Sequence, residues 1–455
     1  MASRFNTALT QKSRIVHHND GSLHCHGMRA SHRLSAMNDM NWQVTAEDRT
    51  RLRTLAEKQS AYSALEIMQR RKQMWLDLNG GRPGARTPVI IETWTFNRDF
   101  MPDGVLHCVS ETGRSIEWQL LENIRNFELI GDDKVMPDTF DIGWFTEIDA
   151  FGIKIDTEFV KDSQGVNTGY HYIHPITDLE RDFPLLKPAT CRVDRPRTLA
   201  WKAFLEDLFG DLLPVRIRSG TYGNAMLTQE VIKLMGMEAF FMALYDTSDA
   251  VHSLMAYLRD NVLRVMRWAE AEGLLCDNNG NQTSFGSSFN FNTQLAASGP
   301  ARLGDMWGAT NSQETVGISP GHFHDFCAPY YRDVCEPFGL LYYGCCEPTH
   351  TFWEDIRLMP HLKKVSINRW TDQHFMADAL RGSDIVFSRK PDPNFLGVDV
   401  TLNEAKWAAH IGETLDVARD VFTEIIIRDV YTVHGNLDKP RRAVEIARSE
   451  IDRRS

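Results

Sequence analysis

The sequence lacks any apolar run long enough to cross a membrane, since its 455 residues contain no stretch of about 18 apolar residues. It also lacks a basic excess, because 50 Lys and Arg face 61 Asp and Glu, for a formal net charge of −11. Phosphate binding needs clustered Lys and Arg, so we expect no nucleic-acid partner. The N-terminus, MASRFNTALTQKSR, has neither the apolar segment nor the cleavage site of a secretory signal. These absences predict a cytoplasmic protein with no membrane partner.

Cysteine is also scarce, and its spacing matches no disulfide framework. The eight cysteines are few for this length, which is typical of free thiols in a reducing compartment. No G-x-G-x-x-G follows any predicted strand, so a dinucleotide-binding sheet is not expected. Residues 1–45 contain five histidines and little apolar periodicity, and they predict a mobile or loosely docked N-terminal arm.

What the sequence does contain is a regular alternation of strand and helix patterns. A helical pattern beginning at 46 ends at Asn79-Gly80-Gly81 and is followed by the strand-like TPVIIETW (87–94). Predicted strands at 339–344, 363–368, 384–388 and 424–429 are each followed by a predicted helix. Such units, with strands that lack polar alternation, are typical of a parallel sheet with crossover helices. We predict an α/β fold over 46–455, a (β/α)₈ TIM barrel with an N-terminal helical extension and an elaborated N-terminal half.

In a barrel of this kind, functional side chains follow the carboxyl ends of the strands. The loop after 302–308 and the loop CCEPTH after 339–344 bring thiols, carboxylates and an imidazole, which are ligands that zinc accepts. The alternatives are that one cysteine packs in the barrel wall and that the acid in the first loop caps the next helix. The predicted zinc ligands are Glu314, Cys345, Cys346 and His350.

The loops after 363–368 and 384–388 supply the other candidates. Arg389 and Lys390 are suited to an anionic substrate group, although solvated loop charges would give the same pattern. We predict substrate binding by Arg389, Lys390, Trp370 and Gln313, and catalysis by Asp372 and Glu347.

The runs SQETVG (312–317), GCCEPTHTFWEDIRL (344–358) and GSDIVFSRKPDPNFL (382–396) resemble the uroporphyrinogen decarboxylase-like superfamily. That superfamily includes zinc-dependent methyltransferases that act with corrinoid proteins, and its barrel is related to that of cobalamin-independent methionine synthase. The resemblance implies a (β/α)₈ barrel, places Cys345 at a zinc-ligand position and likens Glu314 to the carboxylate ligand of methionine synthase. It also implies methyl transfer or decarboxylation as the reaction.

The chain departs from the superfamily's motifs in several places. Tyr343 stands where the methyltransferases have a histidine ligand, and no cysteine follows Cys346. The first predicted strand is followed by ETWTFNRDF, with only Arg98 in place of an arginine-rich motif, so a tetrapyrrole substrate is not expected. The corrinoid motif D-x-H-x-x-G is broken at Ala377, so a corrinoid would be carried by a separate protein.

Three functions follow from this reading. The first is a metal-dependent methyltransferase that moves a methyl group between a small substrate and a thiol or corrinoid carrier. The second is a metal-independent decarboxylase-like lyase on a small carboxylated substrate, with protons handled by Asp372 or His350. The third is a non-catalytic small-molecule binding barrel. A homodimer is compatible with each of them.

Overall fold

Short runs of buried apolar residues form the central strands. In the computed structural model, which describes residues 42–161, 167–218, 223–283, 287–295 and 299–454, seven of them form one parallel sheet. Of the predicted N-terminal arm, residues 1–41 therefore lie outside the described residues. The spatial order of the sheet is β1 (Val89–Ile91), β13 (Thr423–Ile427), β12 (Val386–Arg389), β11 (Leu362–Ile367), β10 (Leu340–Tyr343), β9 (Trp307–Thr310) and β8 (Asn224–Ala225).

The remaining described strands form three separate pairs. β2 (Phe140–Gly143) and β7 (Val215–Arg218) are parallel. β3 (Thr146–Asp149) with β6 (Thr190–Val193), and β4 (Asp156–Lys161) with β5 (Asn167–Ile173), are antiparallel. All four strands β3–β6 fall between β2 and β7 in the chain.

Helices connect the strands of the sheet and cover its outer face. The helix Ala46–Ser63 opens with a capping box in which Thr45 and Asp48 each accept from the other's backbone N–H. The α-helices of the described ranges are Ala46–Ser63, Glu66–Asn79, Asn97–Phe100, Glu111–Arg125, Leu179–Asp182, Arg195–Phe209, Leu227–Met235, Met237–Asp246, Ser248–Ala271, Pro320–Phe326, Ala328–Cys335, Trp353–Ile356, Gln373–Leu380, Asn394–Gly397, Glu404–Val417 and Asp438–Asp452. No helix in those ranges has the length and apolarity needed to span a membrane.

The predicted parallel sheet is confirmed, but the predicted closed barrel is not. Within the described residues, the hydrogen bonding of the sheet ends at β1 and β8, and the pair β2–β7 is not bonded to it. At β1 the reason is local, because the backbone N–H groups of Val89 and Ile91 donate to the carboxylates of Asp133 (2.8 Å) and Asp132 (2.9 Å). Carboxylates thus satisfy the edge donors that a neighbouring strand would otherwise take.

One face of the sheet, here called the inner face, carries a buried ion pair between Lys364 and Glu424. Lys364 donates to Glu424 at 3.0 Å, and Ser288 donates to the same carboxylate oxygen at 2.8 Å. The Lys364 ammonium also lies 5.4 Å from the ring centre of Trp75 and 5.5 Å from that of Trp307. Burial lowers the pKa of Lys364, and Glu424 opposes that effect. The Lys364–Glu424 ion pair, with Trp75 and Trp307 on either side of the ammonium, therefore lies below the carboxyl ends of the strands.

Candidate active site

Four buried polar side chains follow the carboxyl ends of the strands on the inner side of the sheet. Glu92 follows β1, Arg428 follows β13, Lys390 follows β12 and Cys345 comes two residues after β10. Glu92, Arg428 and Cys345 all lie close enough to Lys390 to act on its pKa, Cys345 only when it is ionised. We take this cluster as the candidate active site.

Lys390 is a buried titratable group of the cluster. Its ammonium donates to Tyr342 Oη, to Ser388 Oγ at 2.6 Å and to the Ser388 carbonyl at 3.1 Å. Burial lowers the pKa of Lys390 to about 7, with Glu424 raising it and Arg428 lowering it. Near neutral pH the side chain can therefore give or take a proton, as general acid–base catalysis requires.

The thiols of Cys345 and Cys346 lie side by side, with 3.4 Å between their Sγ atoms. Cys345 is buried and its backbone is held on both sides, since its N–H donates to Glu347 at 2.9 Å and its carbonyl accepts from Ser366 Oγ at 2.9 Å. The hydrogen bond with Cys346 and burial both raise the pKa of Cys345 well above its ordinary value, and Arg428 opposes them. Cys345 is thus a thiol at neutral pH unless a ligand changes its surroundings.

Glu347, predicted to be catalytic, connects two loops instead. Its side chain is fully buried and accepts the backbone N–H groups of Ser312 (3.0 Å) and Cys345 (2.9 Å). Burial raises its pKa, and those backbone hydrogen bonds oppose the rise. A carboxylate with this set of partners fixes the loop after β9 against the loop after β10, so its role is to position Cys345.

The four predicted zinc ligands do not come together. Glu314 accepts from Thr228 Oγ1 at 2.8 Å, and His350 Nδ1 accepts the backbone N–H of Asp372 at 3.2 Å. Across the described ranges, no three His, Cys, Asp or Glu side chains are grouped as metal ligands are. The residues present therefore do not fit a zinc ion as they stand. Glu314 does not cap the next helix either, because Ser319 does.

The sequence predicts that Arg389 and Lys390 bind substrate together, but Arg389 does not lie in the site with Lys390. Successive side chains of a strand point to opposite faces, and Arg389 points outward. Its guanidinium donates to the carbonyls of Ile367 (3.2 Å) and Asn368 (2.9 Å). Arg389 therefore ties β12 to the end of β11 and is not available to a substrate beside Lys390.

The other predicted site residues also have local partners. Asp372 caps the helix Gln373–Leu380 by accepting the N–H groups of Phe375 and His374, which lower its pKa. Trp370 is 61% exposed and lies under the Arg369 guanidinium. Gln313 hydrogen-bonds Glu314. None of these contacts places the three side chains in the cluster around Lys390.

Sequence reasoning missed Glu92, Arg428 and Tyr342. Arg428 was counted inside a strand predicted to end at 429, whereas β13 ends at Ile427. Glu92 was likewise included in a predicted strand, whereas β1 ends at Ile91. If each strand is predicted to end at its last apolar residue, Glu92 and Arg428 directly follow strand ends, and the rule that selected Lys390 selects them too.

Cys346 should react with thiol reagents before Cys345 does. Cys346 is partly exposed, whereas Cys345 is buried and its pKa is raised, so less of it is thiolate. With iodoacetamide at pH 8 and peptide mass spectrometry, we expect Cys346 to be modified at least ~10-fold faster. Buried Cys335 serves as the unreactive control. Faster modification of Cys345 would contradict the described arrangement.

Comparison with known proteins identifies no family. No protein-family description and no curated protein sequence matches the chain. Among solved structures, the chain is similar to a methyltransferase from Methanosarcina mazei, at 12% identity and a TM-score of 0.45, over 84% of this chain and 98% of that chain.

Proposed function

We propose that this chain is an enzyme that transfers a methyl group from a small methylated substrate, with Lys390 as the general acid. The observation that carries the proposal is the buried Lys390 ammonium, held by Tyr342 and Ser388, whose pKa of about 7 makes it a proton donor at neutral pH. Methyl transfer from oxygen or nitrogen leaves an electron pair on a poor leaving group, and protonation of that group lowers the barrier.

The proposed step is balanced as follows. The bond between the methyl carbon and the substrate's oxygen or nitrogen breaks, and the methyl carbon bonds to a nucleophile of the acceptor. The electron pair of the broken bond stays on the heteroatom, which takes the proton of Lys390. Tyr342 and Ser388 accept all three N–H groups of the Lys390 ammonium, so one of these hydrogen bonds is exchanged for one to the heteroatom when the proton is transferred.

The acceptor is a thiol or a corrinoid on a separate protein, as the sequence resemblance implies. No step is assigned to zinc, because the described residues do not assemble a ligand set. Zinc binding stays a prediction that elemental analysis tests. Stoichiometric zinc in the purified chain that is lost in a Cys345→Ser/Cys346→Ser variant would reinstate it.

A decarboxylase-like lyase is the second candidate, and the same lysine favours it. Loss of carbon dioxide breaks a carbon–carbon bond and leaves an electron pair on carbon, which Lys390 can protonate. The two reactions differ in their products, so one incubation distinguishes them.

The test is an incubation of the full chain with methylated acids and methylated amines that carry a CD₃ group. A small thiol and reduced free cobalamin serve as acceptors, and mass spectrometry follows the label while evolved carbon dioxide is measured. We expect labelled acceptor in the wild type and in Arg389→Gln, whose side chain lies outside the cluster, and little in Lys390→Gln. Carbon dioxide without labelled acceptor would replace methyl transfer with the lyase. If neither labelled acceptor nor carbon dioxide is formed, both proposed reactions are refuted.

A further inference from the structure

The Arg428 guanidinium is buried without the hydrogen bonds that such a group normally makes. Its Nε lies 3.5 Å from Glu92 Oε2 and 3.3 Å from Asp429 Oδ2, which are ion-pair contacts too long for good hydrogen bonds. Among the described residues, Nε and Nη1 of Arg428 and Oε2 of Glu92 are buried with no hydrogen-bond partner. Leaving charged donors unsatisfied in a protein interior costs free energy, so an additional acceptor is expected here.

The backbone on either side of this pair is strained. Ser287, which donates to Glu92 Oε1, has φ = +61°, and Asp429 has φ = +59°. Both residues lie in the left-handed region, which costs about 1–2 kcal/mol for a residue such as Ser287 and less for an aspartate. Strain of this kind clusters at ligand-binding sites, where the surrounding structure holds it in place. Ser287 and Asp429, which lie in separate loops, thus contact the Glu92 carboxylate and the Arg428 guanidinium, respectively.

The charges around the unsatisfied atoms select the class of ligand. Arg428 and Lys390 bring two positive charges, whereas Glu92 and Asp429 bring two negative ones; the third nearby carboxylate, Glu424, is paired with Lys364. Nε of Arg428 faces the carboxylates of Glu92 and Asp429, so the unsatisfied Nη1 is the donor left for a charge-assisted hydrogen bond to an anion such as a carboxylate. A phosphate dianion would meet the two nearby carboxylates at close range, and a neutral ligand would leave the donors without a charged acceptor.

We infer that Arg428 binds the carboxylate of a small monocarboxylate, with Glu92 opposite it limiting the charge that the site accepts. The inference rests on the proposed function only in that the bound acid is its substrate. Bound there, the acid lies beside Lys390, which would then face the methylated heteroatom. Arg428 is a binding residue that orients the substrate, and Glu92 is a specificity-determining residue.

Binding of benzoate to the full chain tests the inference without any turnover. In calorimetry, we expect benzoate to bind and neutral benzamide and phosphate to bind at least about 10-fold more weakly. Arg428→Gln should weaken benzoate binding at least about 10-fold, and Glu92→Gln should tighten it, because it removes a charge that repels the anion. Arg389→Gln, another buried arginine on the opposite face of the neighbouring strand, is the matched control and should bind as the wild type does.

Several results would overturn the inference. Equal binding of benzoate and benzamide would show that no carboxylate is recognised, and tighter binding of phosphate would assign the wrong class of anion. Unchanged affinity in Arg428→Gln would remove the residue from the site. If Arg428→Gln does not fold, two measurements replace it: benzoate binding by Arg428→Lys, and the protection that bound benzoate gives Cys346 against a thiol-alkylating reagent. Absence of protection counts against the inference. Benzoate binding without methyl transfer would refute the proposed reaction alone.

Discussion

Replacing Lys390 with methionine should reduce methyl transfer by about 10²–10⁴-fold, the usual contribution of a positioned general acid. The same substitution should raise the melting temperature near neutral pH. The reason is that the wild type keeps an ammonium fully buried, which depresses its pKa to about 7, whereas methionine carries no charge to desolvate. A gain in stability with a loss of activity is the behaviour expected of a group retained for catalysis.

The pH dependence of both quantities follows from the lowered pKa. Between about pH 7 and the ordinary value of 10.5, the unfolded chain binds more protons at this site than the folded chain does, so wild-type stability rises with pH across that window. Below about pH 7 both states are protonated and the full penalty is present. The stabilisation by Lys390→Met should therefore be largest near pH 6 and fade toward pH 10.

Activity should show the opposite trend. A general acid must carry its proton, so wild-type turnover should fall as the pH rises through about 7. Lys390→Arg, which keeps the charge but does not release its proton, gives a matched variant whose turnover should stay as low as that of Lys390→Met from pH 6 to 9. A turnover profile that is flat from pH 6 to 9 would show that Lys390 does not supply the proton.

Removing Glu424 should be the most destabilising single change in the inner layer. Glu424→Ala leaves the Lys364 ammonium buried with only Ser288 and a carbonyl as partners, and breaking a buried pair in this way costs about 3–5 kcal/mol. Urea unfolding measures the loss. Because the Lys364 pKa is lowered by burial, the penalty is complete at low pH and is relieved as the pH rises and the lysine becomes neutral.

The double variant Lys364→Met/Glu424→Leu is the control for that experiment. It removes both charges and fills their space with apolar atoms, so it should recover most of the stability lost in Glu424→Ala. If the double variant is as unstable as the single one, the cost arises from lost packing around Trp75 and Trp307 and not from an unpaired charge.

Local patterns predicted much of this fold. Apolar strands at regular spacing predicted the parallel sheet, and the strand-end rule selected Lys390 and the CCEPTH loop. What those patterns could not show is which partner each polar group takes. Glu347 is a reasonable catalytic acid by its position, but two backbone N–H groups occupy it. Glu314 is a reasonable metal ligand by its type, but Thr228, 86 residues away in the chain, takes its oxygen.

Closure of the sheet was unpredictable for a similar reason. The number of strand patterns suggested a complete barrel, yet the edge of β1 is satisfied by Asp132 and Asp133, which carry no strand pattern. Side-chain acceptors that replace a neighbouring strand leave no periodic signal in the sequence, because they depend on where a single loop returns.

β12 has a further consequence for how this chain can change through deletion and insertion. Arg389 and Lys390 are adjacent, yet Arg389 donates to carbonyls at the end of β11 and Lys390 donates to hydroxyl groups on the opposite face of the sheet. Loss or gain of one residue within Val386–Arg389 would send each cation to the wrong face, along with every apolar side chain of the strand. In a library of single-residue deletions, clones shortened in β12 should disappear, whereas clones shortened in the exposed turn at 399–401 should persist. During evolution β12 can therefore change by substitution but not by insertion or deletion of a residue.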